Sequence, residues 1–246
     1  MKALLLNGSP KKKGSTSGLL SRMMGCLLSG WDIQYASLRT EQEYPQILAR
    51  LKDVDVLLLA APLYVGGIPS HVLRFLKEAE QTCLADECHL TLYVLSNNGF
   101  IEGIQSRSCL RMYQCWCRRA SVTWGGGIGI GGGEMFYILS LYFPVLLTVM
   151  AVFRLIGYGA GAAPALSDWI PLAEDLAIYL FFNCGIFSCM AWCAFHIRRL
   201  RPMKECYTRV MVPAFLFIPL ADIFMVITAI ANGKRISSLL REDTSS

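Results

Sequence analysis

The chain has 246 residues, of which 54% are hydrophobic and only 17% charged, with a formal net charge of +5. That length admits one large domain or two smaller ones, and a charged share below the usual ~25% points to apolar segments beyond an ordinary core. Lysines and arginines gather in the first loop, around Arg107 to Arg119 and from Arg198 to Arg209, with no basic stripe carrying interleaved aromatics, which argues against nucleic acid as a partner.

The first part alternates strand and helix patterns. Lys2 to Leu6 reads as a short buried strand, broken by Asn7-Gly8-Ser9-Pro10. Lys11 to Ser17 is basic, then small and hydroxylated. From Thr16 the residues Leu19, Leu20, Met23, Met24 and Leu27 follow the spacing of one helical face. A strand feeding a helix through such a loop brings unpaired N–H groups, hydroxyls and the positive helix end to one point, which is an anion site. Ser15, Thr16 or Ser17 can cap the helix and still offer a hydroxyl. The plainer alternative is a surface turn with solvated lysines. Neither G-x-x-x-x-G-K-[ST] nor G-x-G-x-x-G is present.

Asp32 to Leu38 alternates as a second strand, and Tyr44 to Leu51 is a short helix. Val54 to Ala61 is a continuous apolar run, the mark of a central parallel strand. The loop Pro62 to Gly67 follows, and Pro69 opens a helix buried through Val72, Leu73, Phe75 and Leu76. Leu90 to Leu95 is a fourth strand ending in Ser96-Asn97-Asn98-Gly99. Ile104 to Arg119 is a helix with a basic outer face. Ser121 to Ile130 is a last strand that dissolves into glycines through Gly133. In such doubly wound sheets ligands bind at the carboxyl edge, at the topological switch point.

Four segments carry a resemblance. Gly8-Ser9-Pro10-Lys11 with Gly14-Ser15-Thr16, then Pro62-Leu63-Tyr64 through Pro69, then Ser96-Asn97-Asn98-Gly99-Phe100 with Glu102, and finally Gly125 to Glu134, resemble in order the motifs of the NADPH-dependent FMN reductases, flavodoxin-like NAD(P)H-dependent oxidoreductases. The resemblance covers residues 1–134. It implies a flavodoxin-like, doubly wound parallel sheet of five strands, order 2-1-3-4-5. It also implies FMN as cofactor and NAD(P)H as co-substrate. Ser9, Lys11, Ser15, Thr16 and Ser17 would hold the phosphate. Pro62, Leu63, Tyr64, Val65, Gly66, Asn97, Asn98, Gly99 and Phe100 would frame the ring. No side chain is expected to act as acid or base, because the flavin does the redox chemistry. Ser15 stands where the family often has Asn, and apolar helices replace the usual soluble tail. These departures keep open a non-catalytic scaffold, sensor or electron carrier. A homodimer also stays open.

Ten cysteines are many for this length. Cys115-x-Cys117 has no second pair to complete a metal set. No secretory leader is expected ahead of the first strand, so the thiols should stay reduced and serve mostly as small core groups. His71, His89 and His196 have no partners at ligand spacing. Arg107, Arg111, Arg118 and Arg119 read as a solvated helix face, with the 2′-phosphate of NADPH as the alternative role.

The apolar third holds three runs, Phe136 to Ile156, Leu176 to Phe195 and Val210 to Ala231. Each has the ~20 residues needed to cross ~30 Å of hydrocarbon. The expected division is a flavodoxin-like domain over 1–134 and an apolar helical region over 135–246, with two to three spans near 136–156, 175–196 and 210–231. A buried helix remains the alternative for the first run, because the fold needs a fifth helix. Gly157 to Glu174 has no lysine or arginine, whereas His196 to Arg209 has Arg198, Arg199, Arg201, Lys204 and Arg209. That asymmetry predicts a cell-membrane protein with its N-terminal domain cytoplasmic. Lys234, Arg235 and Arg241 fit a third span poorly, and Asp222 would sit at mid-depth. Anchorage suggests a quinone or a membrane redox partner as acceptor.

Overall fold

The computed structural model describes residues 1–12, 14–159 and 165–231. It divides into two compact units, Met1–Met211 and a second beginning at Val212. In the first unit, strands β1 (Lys2–Asn7), β2 (Asp32–Ser37), β3 (Val56–Pro62), β4 (Thr91–Asn97), β5 (Thr123–Gly131) and β6 (Cys206–Arg209) form one sheet of order β2-β1-β3-β4-β5-β6. Every pairing is parallel. The first five strands have the flavodoxin-like order. The sixth strand is an addition: four residues inside a basic stretch carry no apolar periodicity, so nothing in HIRRLRPMKECYTR marks it.

β3 and β4 are buried almost end to end, as continuous apolar strands covered on both faces must be. α1 (Thr16–Leu27) packs on β1, β3 and β4, while α2 (Tyr44–Leu48) packs on α3 (Ser70–Ala85), which in turn meets α4 (Arg107–Arg119). Tyr44, Phe75, Leu76, Leu110, Tyr113 and Trp116 fill the core there. β5 does not dissolve at its glycines; it runs through them. The backbone of residues 101–103 lies directly on this strand, and a side chain on Gly129 or Gly131 would overlap the carbonyl oxygens of Gly103 or Ile101.

α5 (Gly133–Gly159) and α6 (Ile170–Ile197) form an antiparallel hairpin. Phe136 meets Phe187 at 6.2 Å between ring centroids, Phe143 meets Tyr179 at 5.1 Å, and Tyr158 meets Trp169 at 6.4 Å. On α5 only Gly133 and Phe136 are buried. On α6 the buried residues are Asn183, Ile186, Met190, Cys193, Ala194 and Ile197. The later half of α6 therefore packs on β5, β6 and α1 and serves as the sheet's fifth covering helix. α5 and the earlier half of α6 stand clear of the sheet with Tyr142, Val145, Phe153 and Phe181 exposed.

This divides the apolar runs differently from the sequence expectation. The first run was the one with a credible place in the core, and it is the exposed one. The second run supplies the core helix, its later half carrying Ile186, Met190 and Ile197 onto the sheet.

The basic stretch is likewise not a free loop beside lipid. Arg198 donates from Nε and Nη2 to the Leu27 carbonyl at 3.2 and 2.7 Å, closing the far end of α1. The Arg199 guanidinium lies 3.6 Å over the Phe195 ring. Folding contacts thus engage Arg198 and Arg199 among the charges of this stretch.

The second unit holds α7 (Ala214–Ala231), which starts at Ala214 rather than Val210 and carries Pro219 inside it and an exposed Asp222. Lys234, Arg235 and Arg241 lie outside the described residues.

Candidate functional site

The first loop leaves β1 at Asn7 and is pinned from several sides. Asn7 Oδ1 accepts from the Ser9 N–H at 3.1 Å, and Ser9 Oγ accepts from the Lys11 N–H at 3.3 Å. These are local turns of the kind Asn and Ser favour. Gly8 passes against β3, its N–H donating to the Ala60 carbonyl at 2.7 Å. The His71 Nε2 lies 3.0 Å from the Gly8 carbonyl, and the Tyr44 hydroxyl donates to the His71 carbonyl at 2.6 Å. Burial and the nearby Glu41 push the Tyr44 phenol up, so it stays a donor. His71 thus braces the loop rather than only packing on its helix.

Ser15 is the N-cap of α1, its Oγ accepting from the Gly18 N–H at 3.1 Å. The Leu19 N–H is taken by the Ser15 carbonyl. Among the described residues the Thr16 and Ser17 N–H groups have no acceptor. Ser17 Oγ accepts from Asn97 Nδ2 at 2.9 Å, which leaves its own proton to donate. The Thr16 hydroxyl donates to the Gly133 carbonyl at 3.1 Å. Two free N–H groups, the Ser17 hydroxyl and a positive helix end converge on one cavity.

That cavity measures about 90 Å³ and is lined by Ser9, Lys11, Ser15, Thr16, Ser17, Pro62, Leu63, Tyr64, Asn97, Asn98, Gly99 and Glu134. Three strand ends meet there, β1, β3 and β4, as the switch-point rule requires. Val65, Gly66 and Phe100 do not line it. Val65 and Gly66 form the tip of a tight turn closed by the Tyr64–Gly67 bridge, with φ of +49° and +75°. Phe100 is exposed at the rim, and nothing stands over Gly99.

The cavity is below the roughly 300–1,000 Å³ that encloses a whole ligand. It is of a size for a phosphate group. Asn97 and Asn98 are buried and already committed: Asn97 Nδ2 also reaches the Ala61 carbonyl at 3.2 Å, and Asn98 Nδ2 reaches Ser106 Oγ at 3.2 Å. They hold the loop, and the Phe100 N–H bonds back to Asn98 Oδ1 at 3.0 Å.

One residue of the cavity was missed from the sequence. Glu134 pairs with Lys11 at 2.7 Å, both side chains about half exposed. An ion pair so exposed stabilises by at most ~1 kcal/mol and opens readily to an incoming anion. The GGGE segment marked the position but not its role. Of the four arginines on α4, Arg119 pairs with Glu80 at 2.8 Å and sits with Arg118 in the last turn, a helix length from the strand ends that build the cavity.

Among the described residues no group of His, Cys, Asp and Glu is placed to hold a metal. No protein-family model matches the chain, and no curated protein matches it. Solved structures do. Trp repressor binding protein from Bacillus subtilis matches at 18% identity and a TM-score of 0.45, over 54% of this chain and 85% of that one. An NADPH-quinone reductase from P. pentosaceus matches at 13% and 0.45, over 54% and 86%. An azoreductase from Bacillus anthracis matches at 12% and 0.43, over 55% and 89%.

Proposed function

We propose that this chain is a membrane-anchored flavoprotein oxidoreductase that holds FMN at the carboxyl edge of its sheet and passes electrons from NAD(P)H to an acceptor at the bilayer. One observation carries the reading: the anion corner and the base of the apolar hairpin are the same place. Thr16 bonds Gly133, Lys11 pairs with Glu134, and the Tyr137 hydroxyl stands over Gly14. A domain held by that hairpin presents its ligand edge to the membrane surface.

The residues present fit FMN at its phosphate end. The Thr16 and Ser17 N–H groups, the Ser9 and Ser17 hydroxyls and Lys11 would hold the phosphate. Tyr64 and the 62–67 and 97–100 loops would border the ring. When bound, the flavin supplies hydride acceptance and electron release. This chain would supply binding through the phosphate corner and the loops that border the ring.

α5 supports the anchor: its apolar stretch from Phe136 to Phe153 rises ~27 Å at ~1.5 Å per residue, close to the hydrocarbon thickness. Arg154 falls at the far end of that stretch, Glu174 and Asp175 lie on α6 between the Tyr179 and Trp169 contacts, and Tyr158 and Trp169 close the tip, as an interfacial aromatic belt does. The domain then lies on the cytoplasmic side, and a quinone or a membrane redox partner is the acceptor.

Ser9→Ala with Ser17→Ala tests the reading. Each lost bond to a charged group costs about 1.5–3 kcal/mol, so FMN affinity, read by quenching of flavin fluorescence, should fall at least about 100-fold. Unchanged affinity, or a wild-type protein that takes up no FMN, overturns it. The small inner cavity favours a second reading, a flavodoxin-type carrier without turnover. FMN binding with no NAD(P)H oxidation by any acceptor selects it.

A further inference from the structure

On the other side of α1 a larger groove opens over β1 and β2. It measures about 920 Å³, within the range of pockets that take whole ligands. Its floor is Leu5 and Ala36, with the Tyr35 ring at the margin. Lys11, Lys12, Arg22 and Arg39 line it, and no carboxylate does. Among the described residues Lys12, Arg22 and Arg39 form no ion pair. Of the neighbouring acids, Glu134 pairs with Lys11 at 2.7 Å and Glu43 is tied to the Arg39 and Thr40 N–H groups at 2.6 and 3.0 Å. Ser21 also lines the groove, only 3% exposed, and its hydroxyl has no hydrogen-bond partner. A buried hydroxyl left unpaired is rare and costly. Here it sits in the wall of a groove lined by cations over an apolar floor.

Lys11 and Ser15 line both this groove and the phosphate cavity. A ligand lying in the groove therefore ends beside the flavin corner. Arginines favour phosphates because their planar fork meets two oxygens at once. We propose that the groove binds the phosphorylated adenosine end of the pyridine nucleotide, with Arg22, Arg39 and Lys12 on its 2′-phosphate, and so makes the protein select NADPH over NADH. The inference rests on the flavin reading of the adjoining cavity, but its binding step does not need flavin.

The test uses the full chain in detergent, with and without FMN, and calorimetry with adenosine 2′,5′-bisphosphate and 5′-AMP as probes. The bisphosphate should bind at least about 10-fold tighter than AMP. Arg22→Ala with Arg39→Ala should remove that difference, with FMN content unchanged and Lys replacements restoring part of it. Equal binding of the two probes by the wild type, or a double variant that keeps the preference, overturns the proposal. So does a double variant that loses only its binding to vesicles containing phosphatidic acid, which would make the groove a lipid headgroup site. Because the FMN-free protein is measured too, failure to bind flavin is read separately from failure to bind the bisphosphate.

Discussion

Val145 separates a membrane hairpin from a hairpin that merely stands in water. It lies midway along the apolar stretch of α5 and is 56% exposed. In water, Val145→Arg is a surface change and should shift stability by no more than about 0.5 kcal/mol. In lipid the same change places an arginine at the depth where insertion costs ~2.5–3.5 kcal/mol, while the valine it replaces contributes roughly −0.3 to −0.6. The net penalty is ~3 kcal/mol, or roughly a 150-fold shift against insertion at ~1.4 kcal/mol per decade. Carbonate-resistant pelleting and vesicle flotation of the full chain read it directly. Leu73→Arg is the control, because Leu73 on α3 is exposed to a similar degree, 49%, but belongs to the sheet's own layer of helices. The reasoning fails if the wild type stays in the supernatant, or if Val145→Arg and Leu73→Arg partition alike.

Two further outcomes follow from the fold. Val65 holds a β-branched side chain at φ +49° in a turn whose next residue, Gly66, is at +75°, the conformation that Asn-Gly suits. Val65→Asn should remove ~1 kcal/mol of strain and raise the melting temperature by roughly 2–4 °C; a lower melting point refutes the strain. Burial pushes the Cys83 and Cys117 thiols up to about 12 and Cys109 to about 11. Unfolded thiols ionise near ~8.5, so these groups favour the native state fully below that pH and lose that contribution as pH rises toward 12. Denaturant midpoints should therefore fall between pH 9 and 12, and iodoacetamide at neutral pH should label exposed Cys26, Cys115 and Cys184 ahead of the buried thiols. A flat midpoint across that window contradicts the burial.

The strands of the first half were legible because a parallel sheet buried on both faces must read as unbroken apolar runs, as LLLAA and LTLYVL do. The N-cap at Ser15 was legible because the hydroxyl precedes the apolar face it starts. What stayed hidden depends on partners distant in the chain. β6 is only four residues long and pairs with β5 from far earlier in the chain, too short a run for Cys206 to Arg209 to show a side-chain pattern. The glycines of β5 look like an unravelled end until the 101–103 backbone is seen lying on them. Glu134 enters the cavity only because α5 starts beside the first loop, 123 residues from Lys11.

The most consequential of these hidden features is that one helix is both anchor and core. Cutting the chain at 134 to free a soluble domain would remove α6 and β6 together. The faces covered by Ile186, Met190 and Ile197 would then meet water, and β5 would become an unprotected edge. That fragment should aggregate. A different excision should succeed. Phe136 and Phe187 touch across the base of the hairpin, so replacing residues 138–182 with a short Gly/Ser turn keeps α5's first turn, the core half of α6 and β6. In a version also ended at 211, the product should remain in solution without detergent and keep its affinity for FMN, since every residue lining the phosphate cavity is retained. If the 134 fragment is soluble and binds FMN while the excised chain precipitates, then α6 is not the sheet's fifth helix and the two parts of this chain are joined only end to end.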